Sequence, residues 1–176
     1  SSEEEVEKLE RKVRAVIRKA EEDLEDSLRK SEKMAKEVTD EIEKSRRKAK
    51  AVIDDARRRN VDTDLVRELL RKLEETTRRV KKLVDELLEE NRRTTERLKE
   101  LVKRLLDELD EVVKEIARRG EEEVLKKVEE LIRKVEKVIR TVLEEDRKVS
   151  EDSLRKMRKV LKEDEDVIKE VRDRAQ

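Results

Sequence analysis

The residues best able to do chemistry in this chain are those that interrupt its apolar repeat. Ser27, Ser31, Ser45, Thr76, Thr77, Asn91, Thr94, Thr95, Asp146, Ser150, Ser153 and Asp164 stand where a seven-residue pattern calls for aliphatic side chains. Two of them are acids. A carboxyl withdrawn from water can act as a general acid or base, because burial raises its pKa toward neutrality. Asp146 and Asp164 lie about five helical turns apart, too far for the paired-carboxylate mechanisms. Neither is accompanied by a nucleophile or a cofactor motif. The plainer chemistry is structural: each carboxylate accepts hydrogen bonds from nearby hydroxyls. No catalytic residue is assigned and the chain is not expected to be an enzyme.

Other chemistries lack their residues. The chain has no His and no Cys, so the usual ligands for zinc, copper and haem are missing, as is any thiolate nucleophile. A di-iron bundle needs inward Glu-x-x-His pairs, and the calcium-loop spacing of acids closing on Gly and Glu does not occur. Glu3-Glu4-Glu5 and Glu121-Glu122-Glu123 read as charged first turns of helices. No metal, cofactor or small-molecule ligand is expected. The densest basic run, Arg57-Arg58-Arg59, falls where a helix ends, and cations there oppose the negative end of the dipole. With zero net charge, no aromatic ring for base stacking and no glycine-rich phosphate loop, nucleic acid is not an expected partner.

Composition narrows the class further. Of the 176 residues, 57% are charged, 50 basic against 50 acidic. Such a chain is either disordered or a long helical assembly with a heptad repeat, and the repeat decides for the second. No apolar run approaches the ~20 residues of a membrane helix, and no signal peptide opens the sequence. A soluble protein with no natural compartment, compatible with cytoplasmic recombinant expression, is the expectation.

The elements that position the polar residues follow from the columns. In the first segment one column runs Ile17, Leu24, Ser31, Val38, Ser45, Val52, flanked by Val13, Ala20 and Ser27 and by Ala35, Ile42, Ala49 and Ala56. The second runs Leu70, Thr77, Val84, Asn91, Leu98, Leu105, Val112, with Leu73, Val80, Leu87, Thr94 and Leu101 beside it. The third runs Leu125, Ile132, Ile139, Asp146, Ser153, Val160, Val167, flanked by Ser150, Met157, Asp164 and Val171. A seven-residue period marks helices that supercoil left-handed around one another. The faces between are Glu, Lys, Arg and Asp, rich in i,i+4 pairs.

Two breaks divide the columns. At Asn60-Val61-Asp62, Asn60 suits a left-handed C-terminal position, Asp62 suits an N-cap, and Val61 can staple onto Val66. At Gly120 the preceding Arg118 and Arg119 and the following glutamates suit a helix end and a helix start. The apolar phase also changes there, since continuing the second segment's columns lands on Arg119, Lys126, Glu123 and Glu130. The prediction is an all-α, up-down-up three-helix bundle with helices at about 2–59, 63–119 and 121–175, each about 85 Å long, in a single domain spanning 1–176.

Folding the chain about its turns predicts which polar residues meet. About Val61, Ser45 faces Thr77, Ser31 faces Asn91 and Ser27 faces Thr95. About Gly120, Thr94 faces Asp146, Thr76 faces Asp164, and Asn91 lies beside Val149 and Ser150. The misfits then form three layers: Ser45, Thr76, Thr77 and Asp164; Ser27, Thr94, Thr95 and Asp146; and Ser31, Asn91, Ser150 with Ser153. An unpaired buried polar group costs on the order of 1–3 kcal/mol, so such layers have to satisfy themselves.

Near-ideal heptads from Val6 to Ala175, the short Asn60-Val61-Asp62 and Gly120 turns, and aligned Ser, Thr, Asn and Asp layers cover essentially the whole chain. In these features it resembles computationally designed, de novo helical bundles with buried hydrogen-bond networks. The resemblance implies high stability and a structural purpose. Natural spectrin-type three-helix repeats use shorter helices and depend on Trp, which this chain lacks. Two functions stay open on the sequence. One is a scaffold with no evolved activity. The other is an assembly module, a homo-oligomer subunit or half of a designed heterodimer, in which the broad apolar face of the second helix (Leu65, Leu69, Leu83, Leu88, Leu106 and Val113) binds further helices.

Overall fold

The computed structural model describes residues 2–60, 62–115 and 120–175. Three long helices, α1 (Ser2–Arg58), α2 (Thr63–Lys114) and α3 (Glu121–Ala175), pack against each other in an all-α three-helix bundle. No strand occurs among the described residues. The sequence favours helix at every level. It has no Pro and a single Gly, and it is filled with Leu, Glu, Lys and Arg, whose side chains lose little freedom in a helix. Exposed pairs such as Arg29–Glu25 (3.3 Å), Arg92–Glu96 (2.8 Å) and Lys156–Asp152 (3.0 Å) run along the outer faces at i,i+4 spacing. Solvent screens such exposed pairs, so the helices depend mainly on their buried faces.

The turns follow local chemistry. Asn60 has φ 57°, the left-handed conformation that ends α1, and its N–H donates to the Arg57 carbonyl at 3.2 Å. The helix stops at Arg58, one residue short of the expected boundary. Asp62 caps α2: its Oδ1 accepts the Asp64 N–H at 3.0 Å, and its carbonyl accepts the Val66 N–H at 3.2 Å. The expected Val61 staple lies outside the described residues. At the second turn Gly120 has φ 82°, which a residue with a Cβ adopts only with strain. Its carbonyl accepts the first bond of α3, from the Val124 N–H at 3.4 Å. The α2 helix is assigned to Lys114, and the Glu115 N–H sits 3.2 Å from both the Glu111 and Val112 carbonyls, a tightened last turn. The expected continuation to 119, with Arg118 and Arg119, falls outside the described residues.

Packing divides the chain into two compact units, each built from parts of all three helices. The first joins the α1 residues up to Arg29 to Glu90–Lys148. Its core holds Val13, Ile17 and Leu24 of α1, Leu98, Leu105 and Leu109 of α2, and Val124, Val128, Ile132, Val135 and Ile139 of α3. The second unit joins Lys30–Glu89 to α3 from Val149 onward. It has two apolar clusters. One gathers Ile53, Val66, Leu69, Ile168 and Val171; the other gathers Ile42, Val80, Leu87, Met157 and Val160. Between them along each helix stand Ser45, Thr76 and Asp164, a polar level dividing two dry ones.

Candidate functional site

The polar residues that break the repeat are the candidate site, and most of them are withdrawn from water. Ser31, Ser45, Thr76, Asn91, Thr94, Asp146, Ser150, Ser153 and Asp164 are buried, while Ser27 and Thr95 are half-buried. Thr77 differs from expectation: it is exposed.

Two threonine–aspartate bonds are the core of the site, one in each unit, both joining α2 to α3. In the first unit the Thr94 hydroxyl donates to Asp146 Oδ1 at 2.9 Å. In the second the Thr76 hydroxyl donates to Asp164 Oδ1 at 2.5 Å. The Thr76 oxygen also lies 2.9 Å from the Leu73 carbonyl, so a single hydrogen is shared between two acceptors. The second carboxylate oxygen of Asp164 faces Arg46 Nε of α1 at 3.4 Å. All three helices therefore contribute to this level. Beside it, Arg79 of α2 pairs with Glu163 of α3 at 2.5 Å. The first unit carries the equivalent outer pair, Arg97 with Glu145 at 2.7 Å.

Both carboxyls are pushed above the ordinary aspartate range, and burial is the main cause. For Asp146 the Thr94 bond pulls partly back, and the like charge of Glu90 pushes further up. For Asp164 the Thr76 bond and then the Arg46 guanidinium oppose the rise, and Glu163 adds to it.

The remaining partners differ from the folded-chain arithmetic. Ser45 was expected to meet Thr77. Instead Thr77 donates back to the Leu73 carbonyl of its own helix at 2.7 Å, and the buried Ser45 Oγ has no hydrogen-bond partner among the described residues. Ser27 was expected to meet Thr95, yet Thr95 donates to the Asn91 carbonyl one turn back at 2.9 Å. A threonine on a helix can satisfy its hydroxyl locally, at the carbonyl three or four residues earlier, which removes the need for a partner across the interface. The Oγ of Ser150 is likewise buried without a partner among the described residues. Ser31, Ser150 and Ser153 belong to the second unit and Asn91 to the first.

Arg46 is the contributor that the heptad columns did not nominate. One signal was available: seven residues before it stands the half-buried Thr39, and seven after it the buried Ile53, so its column turns inward. Its side chain is 22% exposed, and its Nε and Nη2 are buried, so the head of the long side chain reaches in to a buried acid.

Comparison with known protein families, with curated proteins and with solved structures returns no match. Function has to be read from the groups themselves. Among the described residues no three His, Cys, Asp or Glu side chains converge as a metal cluster would require, and no helix is long and apolar enough to cross a membrane. A groove of about 490 Å³ between α1 and α3 of the second unit is lined by Lys44, Ser45, Lys48, Leu161, Glu165 and Ile168, among others. Around the serine hydroxyl its lining is lysines, an arginine, carboxylates and two aliphatic side chains. The chemistry that the arrangement supports is a pair of buried Thr–Asp hydrogen bonds between α2 and α3.

Proposed function

We propose that this chain is a structural scaffold of de novo origin with no evolved biochemical activity, and that its buried polar residues set the register of its helices. The observation that carries the reading is the pair of Thr–Asp bonds, Thr94 with Asp146 and Thr76 with Asp164, which obey one and the same α2–α3 register.

That register is costly to change. A slip of α3 by one heptad would set Asp146 opposite Leu87 or Leu101, and Asp164 opposite Leu69 or Leu83. Each acid would then lose its hydroxyl donor inside an apolar setting, at about 1–3 kcal/mol for a neutral polar group and more for a charge. An aliphatic seam alone resists sliding weakly, because one leucine layer packs much like the next.

The test removes both levels while preserving shape, with Thr76→Val, Thr94→Val, Asp146→Leu, Asp164→Leu and Arg46→Met combined. Spin labels on exposed sites of α2 and α3 report the register as a distance. The expected result is a broadened or multiple distance distribution, or a mixed solution mass. A variant with the parent's single distance and a single mass would sink the proposal.

A second reading, an assembly module that completes its core with further helices, is favoured by Leu88 and Val149. Both are large apolar side chains left exposed, at 47% and 39%. Sedimentation separates the two readings. A concentration-independent mass near 21.1 kDa supports the self-contained scaffold, and a multiple of it supports the module.

A further inference from the structure

Asp146 and Asp164 share a register but not their surroundings. Asp164 has a hydroxyl on one oxygen and a guanidinium facing the other. Asp146 has the Thr94 hydroxyl on Oδ1, while its Oδ2 is buried with no hydrogen-bond partner among the described residues. Among the described residues no cation pairs with it, and the charged group of α2 that acts on it is Glu90, of like sign. On its own helix, Glu145 is engaged by Arg97, and Arg147 by Glu144. Toward α1, the charges in the adjoining groove are Lys19 and Asp23, which face Glu136 and Arg140 about a turn or more before Asp146.

We propose that Asp146 is a proton-operated latch: the ionised carboxylate loosens the seam between α2 and α3 in the first unit, and a proton taken from solvent tightens it. The step forms one O–H bond at the carboxyl and breaks none in the protein. Thr94 continues to donate to Oδ1, which becomes the carbonyl oxygen of a neutral acid. A neutral acid costs far less to bury than a lone charge. In the second unit Arg46 offsets the charge of Asp164 and blunts the same response.

The direction follows from burial and from Glu90, which both raise the folded-state pKa of Asp146 above its unfolded value. The folded chain then holds the proton more strongly than the unfolded chain. Stability from this site is full below the unfolded pKa and is lost as pH rises through the folded one. The response is therefore displaced to higher pH than the roughly 3.9 of a free aspartate.

The experiment is hydrogen exchange on the full chain between pH 7 and pH 5, corrected for intrinsic rates, with Asp146→Asn and Asp164→Asn beside the parent. Amides of α3 flanking Asp146 are expected to slow by at least about twofold on acidification of the parent. In Asp146→Asn they should be slow at both pH values, because the amide mimics the neutral acid. Asp164→Asn should leave the response of the first unit in place. Carbon-detected NMR of the aspartate carboxyls gives a second readout, with the Asp146 resonance identified by its loss in Asp146→Asn. The proposal is overturned if that resonance titrates with the exposed aspartates, or if Asp146→Asn keeps the parent's pH response.

Discussion

Replacing Thr76 by Val removes one hydroxyl and almost no volume, so its consequence isolates what the Asp164 level is worth. In the parent, Asp164 is fully buried, with a hydrogen bond from Thr76 at 2.5 Å and the Arg46 Nε at 3.4 Å. The hydroxyl is the closer and better-made partner. A hydrogen bond to a charged group contributes about 1.5–3 kcal/mol, and Thr76→Val is expected to cost that much at pH 7. Arg46→Met removes the weaker partner. Its cost should fall between the ~0.2–1 kcal/mol of an exposed pair and the ~3–5 kcal/mol of a fully buried one. The decisive variant removes all three groups together, as Arg46→Met, Thr76→Val and Asp164→Leu. Leu and Val reproduce the heavy-atom outlines of Asp and Thr, so the level becomes dry without a cavity. Replacing a buried charged cluster by matched apolar side chains is typically neutral or stabilising by ~1–4 kcal/mol. The triple variant should therefore recover at least the parent's stability even though its component singles lose it. Urea melts followed by circular dichroism at 222 nm measure this without screening the charges. Hydrogen exchange serves as the second probe, because the chain has no Trp or Tyr for fluorescence. If Thr76→Val is silent, or if the triple variant loses as much as the summed singles, the account of this level is wrong.

Three further outcomes are expected. Asp62→Ala should cost about 1 kcal/mol by removing the side-chain acceptor of the Asp64 N–H, read as a lower urea midpoint with unchanged slope. Gly120→Ala should cost about 1–2 kcal/mol through the φ of 82° alone, since a Cβ there would meet nothing within 4 Å; Gly120→Asn should cost less, and the thermal midpoints rank the two. Leu87 and Leu88 are neighbours with opposite fates. Leu87→Ala should lose about 2–5 kcal/mol from a fully buried site, and Leu88→Ala should stay within about 0.5 kcal/mol in the same melts.

The sequence by itself determined whatever depends on a few consecutive residues or on one repeating period. The turn at Asn60 and Asp62, the reversal at Gly120 and most of the inward positions of each helix were legible, Thr77 of α2 being an exception. Caps, left-handed positions and the seven-residue period are properties of the local backbone. The Thr94–Asp146 and Thr76–Asp164 bonds were legible too, since the Gly120 reversal with a common rise per residue places those pairs level with one another.

Tertiary structure decided which of the available partners each polar group took. Thr77 and Thr95 turned back to their own helix, Ser45 did not meet Thr77, and Arg46 reached in to Asp164. The heptad assigns a residue to a face, but not how far the helix is rotated about its own axis. A rotation of a few tens of degrees separates a threonine that points across the seam from one that points to solvent. Packing of unequal side chains sets that rotation, with Ala35, Ala49 and Ala56 of α1 in clusters with larger residues of α2 and α3. The grouping of the chain into two compact units has the same origin, because it depends on contacts between residues far apart in sequence that no local period encodes.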